Sequence, residues 1–393
     1  MGQIIHGKKV LGLNRTGVAG EFSSGVGRHM TDRKKFPAKE TEEKGSRQRR
    51  SQYSSVDVAR LAGVSQAAVS RAFSEGASIS PATKAKVLKA AADLGYRPSI
   101  LPRILATNTS QLVAIVVGGL NNPFYAEIFE IFVRKLQENG YQSLVYFVDD
   151  REHFDKVLPL IMKYRVDGII SSLSLLSPEA AAECTQMDIP IVTTNGKSEV
   201  ESVSSVCSDN FEGGKKIAEL FLEKGAMRFG YAGGKESFAN TERRRGYLET
   251  LKDNGISEVI EFTGIFQTVG GCLAARQMLG AGAIPDAVFC ANDLMAVGFI
   301  ETARSEFGLN VPEDLMVAGF DNLDCTAWPS IGLTTIDPDT DGMAECAIQL
   351  LKRYWDSDVE VAGETVIVAG TLIERSSTDR RVVLPRKSSS KVG

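Results

Sequence analysis

The sequence is poor in the residues that hold metal ions or disulfide frameworks. Its 393 residues include six cysteines and three histidines, and none of the cysteines lies in a C-x-x-C pattern. Zinc sites and the disulfide frameworks of small secreted domains both need closely spaced ligands of these types. We therefore expect no metal site and no cofactor.

Long apolar runs are also missing. The chain has no run of about 18 apolar residues, which a membrane-spanning helix needs. Its start lacks the compact apolar segment and small-residue cleavage site of a secretory signal. These absences predict a cytoplasmic protein. At about 150 residues per domain, the length corresponds to two or three domains.

The net charge of −4 conceals a strong asymmetry along the chain. Residues 1–110 carry 19 Lys and Arg against 8 Asp and Glu, whereas residues 111–393 carry 26 against 41. A basic front predicts contact with a polyanion, and an acidic rear predicts a separate task. Residues 1–52 are rich in Gly, Ser, Lys and Arg without apolar periodicity, which predicts a disordered basic extension. Met1 and Met30 are equally good candidates for the first residue.

A pair of short helices is predicted directly after this extension. Ser54 and Asp57 have the spacing of a capping box, which predicts that the first helix begins here. Gly63 ends it, and Ser65 caps a second helix over residues 66–73. A helix, a turn containing glycine and a second helix form the helix-turn-helix pattern, whose second helix enters the major groove of DNA.

A third helix completes this small all-α domain, predicted over residues 53–97. Ser80 and Pro81 form a typical helix start, and Gly95 ends the helix. Spacing of apolar residues by three and four predicts which side chains face inward. These are Val58, Ala59, Ala62, Val69, Val87, Leu88, Ala91 and Leu94.

From residue 111 the pattern changes to apolar strands alternating with amphipathic helices. Strands that are nearly all apolar, spaced by helices, indicate parallel sheets covered on both faces. Two successive runs of about 100 residues predict two similar α/β lobes with a ligand cleft at the carboxyl ends of their strands. The predicted strands are residues 112–117, 143–148, 168–171, 191–194, 228–232, 287–291 and 316–320. The predicted helices are residues 124–139, 154–164, 211–224, 241–254, 270–279 and 294–307.

Catalytic motifs are not visible in this part of the chain. Gly196-Lys197-Ser198 is similar to the end of a phosphate-binding loop, but the glycine required five residues before Gly196 is Ile191. The H-E-x-x-H and G-x-S-x-G patterns do not occur. We therefore predict that the protein is not an enzyme.

A set of short motifs resembles the lactose-repressor (LacI/GalR) family of transcriptional regulators, in family order over about residues 53–378. They are VARLAGVS at 58–65, VSR at 69–71, LGYRP at 94–98, NPFY at 122–125, DN at 209–210, AND at 291–293, GFD at 319–321, LTTI at 333–336 and LIERSST at 372–378. The resemblance implies a helix-turn-helix domain, a hinge over 98–110, a two-lobed core over 111–378 and a polar tail over 379–393. The first lobe is expected at about 111–208 and 338–364, and the second at about 209–337 and 365–378.

The resemblance also implies which residues contact DNA. In the family, the positions matching Gln66, Ala67 and Arg71 read bases. Glutamine pairs with adenine, arginine with guanine or a phosphate, and alanine with a thymine methyl group. A merely solvated Gln66 is the alternative. Phosphate contacts are expected from Ser54, Ser65 and Ser70.

The hinge of the family inserts a leucine into the minor groove and kinks the DNA. Leu105 stands at that position. Pro102 departs from the commonest family pattern, and because proline is tolerated only in the first turn of a helix, a hinge helix should begin at about residue 101. The alternative for Leu105 is packing against the hinge of a partner chain.

The acidic core is similar to periplasmic sugar-binding proteins with two lobes joined by three crossovers. Arg243 matches the family's clamp on ligand hydroxyls or a carboxylate, and Asn292 and Asp321 follow strands that end at the cleft. The remaining effector-binding positions are Asn195, Phe266, Phe124 and Tyr125. The alternatives are a solvated Arg243, a helix-capping Asp321 and a Phe266 that belongs to the core.

Together these features predict a homodimeric, ligand-responsive repressor bound to pseudo-palindromic operator DNA in the nucleoid. Its effector is expected to be a sugar or a sugar acid, with a lean toward gluconate-like compounds. The resemblance implies that binding of the effector rotates one lobe, separates the hinges and changes the affinity for the operator. Corepression, in which the effector closes the lobes and strengthens DNA binding, is the alternative to induction. The alternative is a periplasmic solute-binding protein without a DNA function.

Overall fold

The computed structural model describes residues 53–74, 76–98, 104, 109–148, 151–172, 177–194, 196–282, 284–357 and 362–380. Two compact units are present, with the division between Pro98 and Ser99. The predictions for the basic extension, the hinge residues Pro102 and Leu105, and most of the polar tail lie outside the described residues. None of the helices in the described ranges is long and apolar enough to cross a membrane.

The first unit consists of three helices, α1 (Ser55–Ala62), α2 (Gln66–Phe73) and α3 (Pro81–Leu94). Each helix begins at the serine predicted to cap it. The chain leaves α1 and α3 through glycines in the left-handed conformation, with φ of 66° at Gly63 and 63° at Gly95. A residue without Cβ adopts this conformation at little cost, which is why both helices end where they do.

The core of this unit is built from small side chains. Val58, Val69 and Val87 are its fully buried centre, and alanines pack around them. The prediction that Leu88 faces inward is wrong, since its exposed fraction is 42%. Val87 already occupies the inward position at that turn of α3. The buried face continues through Ala90, which was not among the side chains predicted to face inward.

The first lobe of the second unit is a six-stranded parallel sheet with helices on both faces. Its strands are β1 (Leu112–Val117), β2 (Gln142–Phe147), β3 (Gly168–Ser171), β4 (Ile191–Thr194), β5 (Ser204–Ser208) and β11 (Thr365–Val368). Their order in the sheet is β11-β5-β4-β3-β1-β2. Helices α4 (Pro123–Glu138) and α11 (Thr340–Trp355) cover one face. Helices α5 (Arg151–Met162) and α6 (Pro178–Gln186) cover the other.

The second lobe repeats this plan with four parallel strands, β6 (Phe229–Gly233), β7 (Val259–Thr263), β8 (Ala287–Cys290) and β9 (Met316–Ala318). Their order in the sheet is β7-β6-β8-β9. Helices α7 (Asn210–Glu223) and α8 (Phe238–Asp253) pack on one face, and α9 (Thr268–Gly280) and α10 (Asp293–Phe307) pack on the other. The predicted α/β class with parallel sheets is confirmed.

The chain passes between the lobes three times. The crossings follow β5, the short strand β10 (Thr335–Asp337) and β11, and β10 pairs antiparallel with β12 (Thr371–Ile373). The prediction that residues 365–378 all belong to the second lobe is wrong for 365–368. Those residues form β11, which pairs in parallel with β5 at the edge of the first-lobe sheet, so the last crossing falls after Val368.

Three elements within the predicted runs were not assigned from the sequence. Strand β5 is rich in serine, and β7 is an edge strand whose side chains are half-buried or exposed, so neither shows an apolar run. Helix α6 carries small and polar residues on most of its surface and buries Ala180, Ala181 and Cys184.

Candidate functional site

The exposed face of α2 carries the residues predicted to read bases. Ala68, Val69 and Ala72 are buried against the other two helices. Gln66, Ala67, Ser70 and Arg71 are exposed together on the opposite side. The helical period of 3.6 residues places the buried and the exposed residues on opposite faces, because residues three or four positions apart share a face.

Two of the serines expected on phosphates also hold the helices in place. The Ser54 hydroxyl accepts from the backbone N–H of Asp57 at 3.3 Å and donates to its Oδ2 at 2.7 Å. The bond from the hydroxyl, followed by the bond from the Ser54 backbone N–H to the same oxygen at 2.9 Å, is the main reason why the pKa of Asp57 lies below its ordinary value. The Ser65 hydroxyl accepts from the backbone N–H of Ala68 at 3.2 Å. Both serines are exposed, and capping fixes the direction of their hydroxyls.

The Gln66 side chain has a partner that sequence reasoning did not identify. Its Nε2 donates to the hydroxyl of Ser55 at 2.9 Å, across eleven residues of chain. Gln66 is therefore not simply solvated. Ser55 follows the capping Ser54, and no sequence motif distinguishes it from an ordinary residue of the first turn.

The basic character of the front of the chain comes mostly from the residues that precede the three helices. Residues 53–98 carry 6 Lys and Arg against 3 Asp and Glu, whereas residues 1–52 carry 12 against 5. The three-helix unit alone is therefore only moderately basic.

In the second unit, Arg243 lies buried among polar groups at the carboxyl ends of the second-lobe strands. Its exposed fraction is 5%. Its Nε donates to Oδ1 of Asn210 at 2.8 Å, and its Nη1 donates to the carbonyl oxygen of Ala291 at 2.6 Å. Its Nη2 lies 3.6 Å from Oδ1 of Asp321, and the guanidinium stacks 3.6 Å above the ring of Phe320. Arg243 is thus not a solvated residue.

Two glycines explain how Arg243 comes so close to its neighbours. A Cβ at Gly214 would lie 2.1 Å from the carbonyl oxygen of Arg243, and a Cβ at Gly246 would lie 2.0 Å from that of Phe211. Helices α7 and α8 therefore cross with their backbones nearly in contact, which only glycine allows at these positions. The crossing brings Asn210 on α7 within hydrogen-bonding distance of Arg243 on α8.

Asp321 is 7% exposed and has a φ of 119°, a conformation that residues other than glycine rarely adopt. Its backbone N–H donates to the carbonyl oxygen of Ile336. Asp321 does not cap a helix, since the turn that follows it begins after Leu323. The pKa of Asp321 is raised to about 7, mainly because burial disfavours its charged form, although Arg243 opposes this.

A second buried carboxylate, Asp293, lies beside Asp321. Its oxygens accept from the hydroxyl of Thr335 at 2.7 Å and from the backbone N–H of Leu323 at 2.9 Å. Burial, followed by the charge of Asp321, holds the pKa of Asp293 well above its usual range. The cluster therefore contains two buried carboxyl groups and one guanidinium.

Asn292 supplies a further polar group at this edge of the sheet. Its Oδ1 caps α10 by accepting from the backbone N–H of Met295 at 3.0 Å. Its Nδ2 is buried and has no hydrogen-bond partner among the described residues. A buried amide without a partner is costly, and a ligand oxygen would relieve that cost.

The aromatic residues predicted around the cleft have different environments. Phe266 is half-buried, packs against both faces of the second lobe and lies against Gly234. Phe124 is 4% exposed and belongs to the core of the first lobe. Tyr125 is half-buried and contacts Phe124 edge to face. Asn195 lies outside the described residues.

Glu127, on α4 of the first lobe, is a residue that the sequence analysis did not select. After burial, its charge contributes to the raised pKa of Asp321, and Glu127 itself is exposed. A cavity of about 700 Å³ lies between the lobes and is lined by residues of the segment 197–203 and of the start of α8. In the described ranges, no group of three His, Cys, Asp or Glu side chains could hold a metal ion.

Comparisons with known proteins agree with this division of the chain. Residues 56–99 match the model for bacterial regulatory proteins of the lacI family, and residues 218–378 match a periplasmic binding protein-like domain. The ribose operon repressor of Escherichia coli K12 is 32% identical over 302 residues, which cover 75% of this chain and 91% of that protein.

Two solved structures extend the similarity to the fold. The lac repressor dimer bound to operator and an anti-inducer is 25% identical with a TM-score of 0.74, over 83% of this chain and 99% of that one. The complex of the transcriptional regulator CelR with cellobiose is 28% identical with a TM-score of 0.61, over 83% of this chain and 100% of that one. The chain belongs to the lacI family of bacterial regulatory proteins and is a DNA-binding transcriptional regulator.

Proposed function

We propose that the chain represses a carbohydrate-utilisation operon and that a neutral, polyhydroxylated ligand in the interlobe cleft changes its affinity for the operator. The ligand class is inferred from the ionisable groups of the buried cluster. Arg243 contributes one positive group, whereas Asp293 and Asp321 contribute two carboxyls.

This balance disfavours a sugar acid. A ligand carboxylate beside the buried Asp321 would raise the pKa of that carboxyl further, at a cost that a neutral hydroxyl group does not carry. A hydroxyl group can accept from Arg243 and donate to Asp321 at the same time. Two of the five N–H groups of Arg243 are used in hydrogen bonds to Asn210 and Ala291, and the Nη2 hydrogens remain near Asp321.

The similarity to a ribose operon repressor and to a regulator bound to cellobiose supports a neutral sugar. In this proposal Arg243, Asn292 and Asp321 bind ligand hydroxyls and Phe266 packs on the sugar ring. Tyr125 and Asn195 contact the ligand from the first lobe, and Phe124 supports that wall from the core.

At the other end, Gln66, Ala67 and Arg71 read bases in the major groove, and Ser54, Ser65 and Ser70 position the unit on phosphates. Leu105 enters the minor groove. The exposure of the reading residues on one side of α2 supports this assignment. The chain acts on nucleoid DNA in the cytoplasm and is not an enzyme.

The working form is a homodimer, as in the lac repressor complex with operator. Exposed apolar side chains occur on both lobes, including Phe147 at 59% on the edge strand β2 and Trp328 at 58%. Two chains place two reading helices about one helical turn of DNA apart, and effector binding disturbs this spacing. Sedimentation equilibrium of the full chain tests the assembly.

A thermal-shift screen tests the class of ligand. Neutral pentoses, hexoses and disaccharides are expected to raise the melting temperature, and gluconate and uronic acids are not. The Asp321→Asn variant should lose the response to the active sugar. A response confined to sugar acids would refute the proposed ligand class but leave the DNA function in place.

A further inference from the structure

Ser55 accepts a hydrogen bond from Gln66, a side chain that reads DNA in the proposed function. This bond connects the starts of two helices. Ser55 is the first residue of α1, and Gln66 is the first residue of α2. The hydrogen bond from Nε2 of Gln66 to Oγ of Ser55 is 2.9 Å long. The cap of α1 is supplied by Ser54, so α1 does not need the Ser55 hydroxyl for its start.

We propose that Ser55 is a positioning residue that fixes the orientation of the Gln66 amide for the recognition of one base pair. The proposal rests on the proposed function, in which Gln66 contacts a base. Ser55 itself contributes specificity only through Gln66.

The chemistry of the amide makes this role possible. Recognition of adenine needs the amide oxygen as an acceptor from N6 and one amide N–H as a donor to N7. The hydrogen on the same side as the oxygen makes that second bond. The other hydrogen of Nε2 is free to bind Ser55, so the two interactions do not compete.

The bond also determines which end of the amide contacts α1. In this structure Nε2, and not Oε1, contacts Ser55 at the exposed start of α2. A free glutamine samples several rotamers and both amide orientations, and only some of them match adenine. Restricting the side chain before binding therefore favours adenine over bases that need a different orientation.

A direct phosphate contact is the competing role for the half-buried Ser55 at the start of α1. Phosphate contacts carry no sequence information and change the affinity for all sequences alike. The two roles therefore predict different effects of the same substitution, one on base preference and the other on overall affinity.

The test uses the full chain and a pool of randomised duplexes from which the unmodified protein selects its site. Binding of Gln66→Ala, Ser55→Ala and Ser55→Thr to the pool is then read by sequencing, and affinity for a fixed non-specific duplex is measured in parallel. Ser70→Ala is the matched control, since it removes an exposed serine hydroxyl from the same face.

Gln66→Ala should abolish the preference for adenine at one position of each half-site. Ser55→Ala should lower the preference at that same position by about 3- to 10-fold, in line with the loss of one hydrogen bond. It should leave the other positions and the non-specific affinity unchanged. Ser55→Thr, which keeps a hydroxyl group, should retain the preference, and Ser55→Ala should have no further effect in a Gln66→Ala background. Ser70→Ala should weaken all sequences equally.

If Ser55→Ala leaves the preference at the Gln66 position intact, or lowers affinity for every sequence alike, the positioning role is refuted while the proposed function stands. If Gln66→Ala changes no base preference although the protein selects a site, both the reading role of Gln66 and the role of Ser55 are refuted. Failure of the unmodified chain to select any site would refute the proposed DNA function itself.

Discussion

Replacement of Asp321 by asparagine should stabilise the protein at alkaline pH while it abolishes the response to the effector. Asp321 is buried beside Arg243 and Asp293, and the pKa of its carboxyl is raised to about 7. An uncharged amide of the same shape removes the buried charge. It also removes the carboxylate that is proposed to accept from a ligand hydroxyl.

The size of the effect follows from proton linkage. The folded pKa of Asp321 lies above the ordinary value of 3.8, so its contribution to stability is fully present below pH 3.8 and is lost as the pH rises through about 7. Between pH 5 and pH 8 the loss amounts to roughly 2–3 kcal/mol, at about 1.4 kcal/mol per unit of pKa difference. Asparagine does not titrate, and the variant should lack this loss. Asp293 remains in both proteins.

Urea unfolding at pH 5, 6, 7 and 8, followed by tryptophan fluorescence, measures the difference. Trp328 and Trp355 report on the two lobes, in the second unit. The stability of Asp321→Asn relative to the unmodified chain should increase steadily with pH. Asp253→Asn, at an exposed position at the end of α8, is the control and should show little change with pH. Asp321→Asn and the unmodified chain differ in their free energy of unfolding by an amount that should depend on pH. If that difference is the same at pH 5 and at pH 8, Asp321 is not a buried, partly protonated carboxyl.

Three further predictions concern DNA recognition and packing. Arg71→Ala should remove operator protection in a footprinting assay, with a loss of about 1–3 kcal/mol for one base contact. Lys89→Ala, at an exposed position on α3, is the control and should weaken binding only slightly. Unchanged protection by Arg71→Ala would contradict its role. DNA affinity should fall steeply between about 50 and 200 mM salt while affinity for the effector hardly changes, and equal salt dependences would count against the two-site account. Gly214→Ala should destabilise the second unit by about 1–3 kcal/mol and weaken effector binding, because a Cβ there meets the Arg243 carbonyl oxygen at 2.1 Å. Gly280→Ala, whose Cβ would meet no atom within 4 Å, is its control, and equal stability of the two variants would refute the packing argument.

Local patterns in the sequence were sufficient to predict most of the helices and strands. Serine caps and terminal glycines define α1 and α3 because a cap satisfies backbone groups within a few residues of chain. Strands such as β1 are identifiable because both of their faces are covered and every residue is apolar. Strand β11 was assigned to the wrong lobe because its partner β5 is more than 150 residues away in the sequence, a pairing that no local pattern encodes.

The site could be predicted only in part for the same reason. The strand ends identified Asn292 and Asp321, and the resemblance to a family identified Arg243. Asp293 immediately follows Asn292, but its burial depends on Thr335 and Leu323 from other segments. The contact of Ser55 with Gln66 depends on how two helices cross, which the sequence of neither helix determines.

The central claim is that one chain couples a sugar site in the second unit to an operator site in the first. Fluorescence anisotropy of the full chain on its selected operator, at fixed salt with and without a saturating neutral sugar identified by thermal shift, tests it directly. The operator Kd should change by about 5- to 150-fold, the usual range of allosteric coupling, and Asp321→Asn should abolish the change. An operator Kd that stays the same while the sugar site is saturated would contradict the account.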